Sequence, residues 1–182
     1  MTQDIVKFIR QRYFAAHGAS APVNYSNFMS RMRAAGQGAA VGYRRAGDGM
    51  LFLESYLDEP VEQLLRRHLG TEIDRSRIVE IGGLAANSSA SLIALWNSVA
   101  WDLGTDTDIG VAVLIRPLRL MFRRIGITLH ELLPARAERL GAQQAQWGSY
   151  YENDPVVCCG SLLEARQRLA QFMSRRRGAL AA

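Results

Sequence analysis

The run RIVEIGGLAA at residues 77–86 constrains the fold more than any other segment of the chain. It is almost continuously apolar and carries one carboxylate, Glu80, which is typical of a central strand buried on both faces. Gly82 and Gly83 weaken the interior of a strand, so they indicate a bulge or the close approach of another backbone or of a ligand. Helix-capping residues follow at 87–89. We therefore predict a buried, bulged strand that leads directly into a helix.

The rest of the second half alternates between strand-like and helix-like patterns. Apolar runs of strand length and stretches with apolar residues at helical spacing follow one another along the chain. This order predicts parallel neighbouring strands joined by right-handed crossovers. The predicted elements are helices at 90–103, 117–125 and 161 to about 177, and strands at 109–115, 127–133 and 155–159.

The first half predicts more varied elements, with glycine or proline at most of their boundaries. They are a helix at 3–18, a hairpin of strands at 27–34 and 39–45 around a turn at 36–38, a short extended piece at 50–53, and a helix from Pro60 closed by Gly70. The length of 182 residues suits one domain, and neither a linker nor an internal repeat interrupts the pattern. We predict a single α/β domain over 1–182, with a flexible tail at 178–182.

Composition and charge argue against several function classes. No apolar run is long enough to cross a membrane and the start lacks a signal peptide, which predicts a cytoplasmic protein. Cys158 and Cys159 are adjacent, so no disulfide framework is expected, and two thiols with His17, His68 and His130 scattered along the chain predict no metal site. The net charge of +5 rests on arginines in scattered doublets, which argues against a nucleic-acid groove. Phosphate binding and plain solvated faces both remain open for these arginines.

Several segments, taken in order, resemble one known family. They are IRQRYF at 9–14, GYRRAG at 42–47, LFLESYLDEPVEQLLRRHLG at 51–70, VEIGGLAA at 79–86 and WGSYYENDPVV at 147–157. On these segments the chain resembles the thermostable hemolysin family from about residue 5 to residue 162. That family is similar to the GNAT acyltransferases and, among them, to the acyl-homoserine-lactone synthases. The resemblance implies a GNAT-like α/β fold, in which a mixed central sheet with splayed strands is flanked by helices.

The same resemblance implies an enzyme and its co-substrates. An N-acyltransferase of this kind passes an acyl group from the thioester of acyl-CoA or of an acyl carrier protein to a small amine such as an amino acid, with no permanently bound cofactor. The pantetheine arm would lie between the strand carrying Glu80 and the strand at 109–115. Its amides would pair with freed backbone groups of Gly82, Gly83, Leu84 and Ala85.

Three departures from these relatives limit what the resemblance implies. The synthases carry an arginine shortly after the glutamate, where this chain has Gly82 and Gly83, so the resemblance does not extend to S-adenosylmethionine as a substrate. Residues 86–91 lack the glycine of CoA-binding GNAT loops, which makes a carrier-protein phosphopantetheine as suitable a donor as CoA. Phe122 stands where many GNAT enzymes have a tyrosine that acts as an acid.

Glu80 is the candidate general base for attack by the amine. A carboxylate among apolar strand residues is desolvated, which raises its pKa toward neutrality. An ion pair with Arg77 or Arg119 is the alternative role for this side chain. A backbone N–H near Leu84 or Ala85 is the candidate donor to the oxyanion of the transition state.

Aromatic and anion-binding candidates complete the predicted site. Tyr150 and Tyr151 are candidate acids or substrate contacts, Trp147 is a candidate substrate contact, and aromatic packing is the alternative role for all three. Candidates for binding a phosphate or carboxylate are the helix-start residues Asn87, Ser88 and Ser89 and the cations Arg116 and Arg119. Solvation at the surface is the alternative role for the two arginines.

Two further function classes remain open from the sequence. The family name implies a membrane-active protein, although the amphipathic helices have the periodicity of core elements. A non-catalytic binding module that uses the cleft or the arginine-rich tail is the other alternative. Acyl transfer from a thioester to an amine is the leading expectation.

Overall fold

The computed structural model describes residues 2–32, 37–104 and 109–180. Its strands are β1 (Asn27–Met32), β2 (Gly38–Arg45), β3 (Ile78–Ala86), β4 (Ile109–Leu114), β5 (His130–Pro134) and β6 (Val156–Ser161). They form one sheet in the order β1-β2-β3-β4-β6-β5. Strands β3 and β4 pair in parallel, and the other neighbours pair antiparallel. The predicted mixed sheet is therefore confirmed.

Helices cover both faces of this sheet. They are α1 (Thr2–His17), α2 (Val61–Leu69), α3 (Ser89–Leu103), α4 (Arg116–Ile125) and α5 (Leu162–Leu180). Helices α3, α4 and α5 share one apolar cluster with Val79 and Ile81 of β3. Helix α2 packs in a second cluster with Ile78, and α1 in a third with Ala40 and Ala85. Because side chains alternate across a strand, α1 and α2 lie on the opposite face of the sheet from the other three helices.

The predicted topology was wrong about one neighbour of β4, which is the antiparallel strand β6. This strand lies between β4 and β5 and is antiparallel to both, so parallel pairing is limited to β3 and β4. The four residues from Val156 to Cys159 are all buried, which requires cover on both faces and therefore a position inside the sheet. Strand β5 is half exposed and ends at Pro134, as suits an edge strand. The order of elements along the chain does not show which strands become neighbours.

Local differences from the predictions are smaller. The extended piece predicted at 50–53 is replaced by a 3-10 turn at Phe52–Tyr56, whose first two amides both donate to the carboxylate of Glu80. Residues Ala137–Asn153 form an irregular 3-10 segment. Helix α5 continues to Leu180, a few residues past its predicted end. Residues 33–36, which include the end of the predicted strand at 27–34 and Gly36 of the predicted turn, lie outside the described part of the chain, as do the last predicted tail residues, 181–182.

Candidate active site

Strands β3 and β4 separate soon after they begin. Their pairing covers only Ile78–Glu80 against Ile109–Val111, although β3 runs on to Ala86 and β4 to Leu114. Past Glu80, β3 remains paired with β2 on its other edge. Among the described residues, no strand pairs with the edge of β3 that faces β4 from Ile81 onward, and the predicted splay is confirmed.

Gly82 and Gly83 are each required for a different structural reason. Between Ala40 and Gly42 the β2–β3 register shifts, which places the extra residue of a bulge at Gly83 and Leu84. Gly83 has φ +58°, a conformation that side chains other than glycine rarely adopt. Gly82 is needed because the Tyr25 ring lies directly against it, and a Cβ there would overlap the Tyr25 hydroxyl. The predicted bulge is confirmed, and the close approach is made by a tyrosine of the protein itself.

A cavity of about 70 Å³ opens where the two strands separate, and we call it the seam cavity. Its walls are residues 80–84 of β3, residues 113–115 at the end of β4, and aromatic side chains from α1, the 52–56 turn and the 137–153 segment. Trp96 of α3 lines it from the other face of the sheet. The seam therefore joins both layers of the molecule and is walled mainly by aromatic rings and backbone.

Glu80 lies at the closed end of the seam and is 2% exposed. Its Oε2 accepts the N–H of Phe52 at 2.9 Å, and its Oε1 accepts the N–H of Leu53 at 2.7 Å. Burial raises the pKa of this carboxyl, and the two backbone hydrogen bonds and the nearby Arg44 only partly offset that effect. Arg119, one of the two arginines considered as an ion-pair partner, bonds instead to Asp154 and Glu131. Glu80 is thus a desolvated carboxylate with a raised pKa, which suits a general base.

A second carboxylate, Glu54, fixes the turn that supplies those two amides. It accepts the N–H groups of Leu51 and Val61, and Arg75 donates two hydrogen bonds to it at 2.7 and 2.8 Å. Burial alone would raise the pKa of Glu54, but the hydrogen bonds from Arg75 and the two amides outweigh burial and lower it. Charge-assisted hydrogen bonds to the carboxylates of Glu80 and Glu54 therefore fix the conformation of the 52–56 turn.

The predicted aromatic residues lie around the open side of the seam. Trp147 stacks on Phe52 with ring centroids 5.7 Å apart, and Trp147 and Tyr150 both line the cavity. The Tyr150 hydroxyl donates to the carbonyl of Val113 on β4 at 3.4 Å, and burial raises its pKa well above the ordinary value. Tyr151 does not line the cavity, but its hydroxyl lies 2.6 Å from that of Tyr56, which does.

Three buried nitrogens along the seam lack hydrogen-bond partners among the described residues. They are Nδ1 of His17 and Nε1 of both Trp96 and Trp147. Buried polar atoms in folded proteins almost always have a hydrogen-bond partner, so a buried atom without one needs an explanation. Here all three residues line the same cavity, which is consistent with a site that a polar ligand or water completes.

The remaining predicted residues are placed outside the seam. Ala85 packs against α1, and the Asn87 side chain accepts the N–H of Gly38. Ser88 caps α3 by accepting the N–H of Ser91, with Ser89 as the first helical residue. Arg116 is exposed at the start of α4, next to the cavity residue Ile115.

The Arg119 side chain is buried and hydrogen-bonded to other parts of the fold. It is 6% exposed, and its guanidinium bonds to the carbonyl of Leu114 at 2.8 Å, to the Asp154 carboxylate at 2.6 Å and to Glu131 at 3.1 Å. These partners tie α4 to the end of β4 and to the segment before β6. The Arg119 guanidinium is therefore engaged by hydrogen bonds within the fold, which argues against its predicted role as a substrate contact.

Sequence reasoning missed three tyrosines that line the seam, namely Tyr13, Tyr25 and Tyr56. Tyr13 is half-buried, and desolvation raises its pKa to about 12, an effect that the hydrogen bond from the N–H of Leu84 offsets only in part. One signal was present in the sequence: Ile9, Tyr13 and His17 repeat at every fourth position, so the apolar face of α1 carries polar-tipped rings toward its end. Nothing local marks Tyr25 or Tyr56.

A family model confirms the resemblance that the sequence segments indicated. The model of the family described as thermostable hemolysin matches residues 1–166. The chain belongs to the thermostable hemolysin family. No curated protein sequence shows significant similarity to this family member.

Several solved structures that are similar to this family member are synthases of the GNAT-like fold. A crystal structure of TofI in a ternary complex with an inhibitor and MTA has a TM-score of 0.62 at 17% identity, covering 93% of this chain and 91% of that one. FeeM, an N-acyl amino acid synthase from uncultured soil microbes, has a TM-score of 0.59 at 14% identity, covering 92% and 94%. MesI, a CoA-dependent acyl-homoserine lactone synthase, has a TM-score of 0.57 at 14% identity, covering 93% and 87%. At these identities the similarity establishes the shared fold.

Two other kinds of feature are absent from the part of the chain that the structure describes, residues 2–32, 37–104 and 109–180. None of the helices there is both long enough and apolar enough to cross a membrane. Within the same ranges, no group of three or more histidine, cysteine or acidic side chains is placed to hold a metal ion.

Proposed function

We propose that this protein is an N-acyltransferase that moves an acyl group from a thioester to a small amine. The observation that carries the proposal is the seam between β3 and β4, with the buried carboxylate of Glu80 at its closed end. The GNAT-like fold supports it, because solved structures of this fold include an N-acyl amino acid synthase and a CoA-dependent acyl-homoserine lactone synthase. We propose further that 1–182 acts as one catalytic domain in the cytoplasm.

The donor's arm lies along the free edge of β3 in this proposal. Beyond Glu80 the backbone groups on that edge have no partner strand, so the amides of a pantetheine can pair with them as a short strand would. Gly82, Gly83 and Leu84 line the seam cavity, whereas Ala85 packs against α1. We therefore assign the oxyanion contact to the N–H of Leu84, which would exchange its hydrogen bond to the Tyr13 hydroxyl for one to the oxyanion.

The chemistry needs one base and one acid. The amine nitrogen attacks the thioester carbon, Glu80 accepts a proton from that nitrogen, and the C–S bond breaks as the C–N bond forms. The leaving sulfur takes a proton, for which the buried and neutral hydroxyl of Tyr150 at Val113 is the candidate donor. Tyr151 acts through its hydrogen bond to Tyr56 as a positioning residue.

The acceptor approaches from the side opposite to α3. A surface groove of about 290 Å³ lies there, with Asn24, Ser55 and Gln143 in its walls. Trp147 lines both this groove and the seam cavity, and its unpaired Nε1 can donate to the acceptor. The groove thus gives the amine a route to Glu80 that does not cross the donor's position.

Both CoA and an acyl carrier protein remain candidate donors in this proposal. The start of α3, with Asn87, Ser88 and Ser89, and the exposed Arg116 at the start of α4 are the proposed contacts for a phosphate of either donor. One amide at α3 is already bonded to Ser88, which favours the single phosphate of a phosphopantetheine over a pyrophosphate.

The test is a coupled assay of thiol release by the full-length protein. Straight-chain acyl-CoA and acyl-carrier-protein thioesters are incubated with a panel of amino acids and small amines, and free thiol is followed together with the mass of the N-acyl product. The proposal predicts release that depends on a particular amine and yields its amide. Release that is no faster than hydrolysis for every pair would overturn it.

A further inference from the structure

A second cavity lies behind the seam, on the face that α3, α4 and α5 cover. Its volume is about 40 Å³, and we call it the inner cavity. Its lining is almost entirely apolar and includes Ala112, Phe122, Ile127, Leu129, Leu162 and Ala165. Cys158 also lines it, and burial raises the pKa of that thiol to about 12, so the sulfur is neutral there. A cavity of this composition excludes charged groups and favours hydrocarbon.

The indole of Trp96 separates the two cavities. Trp96, Ile81 and Leu114 are the residues that line both of them. Trp96 is 8% exposed and meets the Phe122 ring edge-on at a centroid distance of 4.8 Å. Its Nε1 has no hydrogen-bond partner among the described residues, so no polar contact holds the ring in place. The side chain is thus a wall between the seam cavity and the apolar inner cavity.

We infer that the inner cavity receives the end of the acyl chain and that Trp96 is the residue that determines how long a chain is accepted. The inference rests on the proposed function, because the seam must hold the thioester for its chain to reach Trp96. The inner cavity offers room for roughly three water-sized groups, at about 10–15 Å³ each. A chain that passes the indole therefore fills the space after a few carbons. Longer chains meet the Phe122 and Leu162 side chains.

A binding series on the full-length protein tests this inference without relying on turnover. Straight-chain thioesters of N-acetylcysteamine, from butanoyl to dodecanoyl, are titrated calorimetrically with no amine present. For the natural protein, affinity rises about fourfold with each added methylene until the inner cavity is full, and then stops rising. Trp96→Leu keeps an apolar side chain but removes most of the wall, so this limit moves to chains longer by about two methylenes.

Two matched variants control for general disturbance. Trp101→Leu makes the same exchange on the same helix at an exposed position that lines neither cavity, and it leaves the limit unchanged. Ala165→Leu narrows the inner cavity and moves the limit toward shorter chains. Circular dichroism and thermal unfolding confirm that each variant is folded before it is titrated.

The outcomes separate this inference from the proposed function. An unchanged limit in folded Trp96→Leu and Ala165→Leu overturns the inference, even if acyl transfer is observed. Absence of any chain-length dependence in the natural protein overturns it as well. A shifted limit without transfer to any amine supports the role of Trp96 and counts against the proposed reaction alone.

Discussion

Glu80 is subject to two opposing influences. Burial raises the pKa of its carboxyl, while the amides of Phe52 and Leu53 stabilise the charged form. Each carboxylate oxygen has two lone pairs, so after these hydrogen bonds both oxygens can still accept a proton. The two amides therefore orient the side chain without removing its capacity to act as a base.

Substitution of Glu80 by glutamine tests the role of the carboxylate. An amide has one carbonyl oxygen for two N–H donors, so one donor loses its acceptor and the free energy of unfolding falls by about 1–3 kcal/mol. Turnover falls about a hundredfold or more, because a general base is lost. In the natural protein, kcat/KM falls as acidification protonates Glu80, with an apparent pKa above the ordinary glutamate value because burial raises it.

The measurement is a pH profile of kcat/KM beside urea unfolding of both proteins. Glu72→Gln is the control, since Glu72 forms an exposed ion pair with Arg66 and lines neither the seam cavity nor the inner cavity. Natural turnover in a folded Glu80→Gln variant would contradict the assignment of the base.

The 52–56 turn is the element that links the core to the reacting end of the seam. Its amides hold Glu80, and its own geometry depends on Glu54, whose side chain is 7% exposed and bonds to Arg75. Arg75 also bonds to Glu62 of α2 at 2.6 Å. The same cluster of charged side chains therefore contributes to the stability of the protein and to the geometry of the candidate active site.

We expect Arg75→Met to lower the free energy of unfolding by about 3 kcal/mol at neutral pH, because it leaves the buried Glu54 carboxylate without its cation. The pKa of Glu54 is lowered in the folded state, so its stabilising contribution is present above the unfolded pKa and is lost as the pH falls through the folded value. The difference between the two proteins should therefore shrink on acidification. Urea unfolding at neutral and acid pH measures it.

Arg66→Met is the matched control for this substitution. Arg66 and Glu72 form an ion pair with side-chain exposures of 67% and 78%, so its loss costs no more than about 1 kcal/mol at any pH. Equal effects of the two substitutions, or a deficit in Arg75→Met that grows on acidification, would contradict the proposed role of Arg75.

At the scale of the whole molecule, the family name and the proposed function describe different activities. The name describes lysis, whereas the described residues place the cavities inside a synthase-like fold and contain no helix suited to cross a membrane. If the proposed reaction takes place, a surfactant-like N-acyl product would reconcile the two, because an amide with an apolar tail and a polar head disturbs bilayers.

We predict that dye release from liposomes requires the acyl donor and the amine together with the protein. Neither the protein alone nor Glu80→Gln with both substrates should release dye above background, because neither forms product. Fluorescence dequenching of an encapsulated dye measures the release. Leakage caused by the purified protein without a thioester would favour direct membrane activity and count against the indirect route.

The local sequence was sufficient to predict those features that depend only on neighbouring residues. The cap at Ser88, the left-handed glycines after α2 and α4, and the bulge at Gly83 all follow from the conformations available to those residues. The apolar run with one carboxylate likewise predicted a buried β3. The resemblance of several segments then indicated the family and the splay of its two strands.

Only the tertiary structure decided which distant residues meet. The insertion of β6 beside β4, the amides of Phe52 and Leu53 on Glu80, and the engagement of Arg119 by Asp154 join positions more than 25 residues apart. Such contacts depend on how the sheet orders its strands, and local conformational preference carries no information about that order. The boundary between the seam and the inner cavity is set in the same way, by one indole from α3 that reaches the gap between two strands.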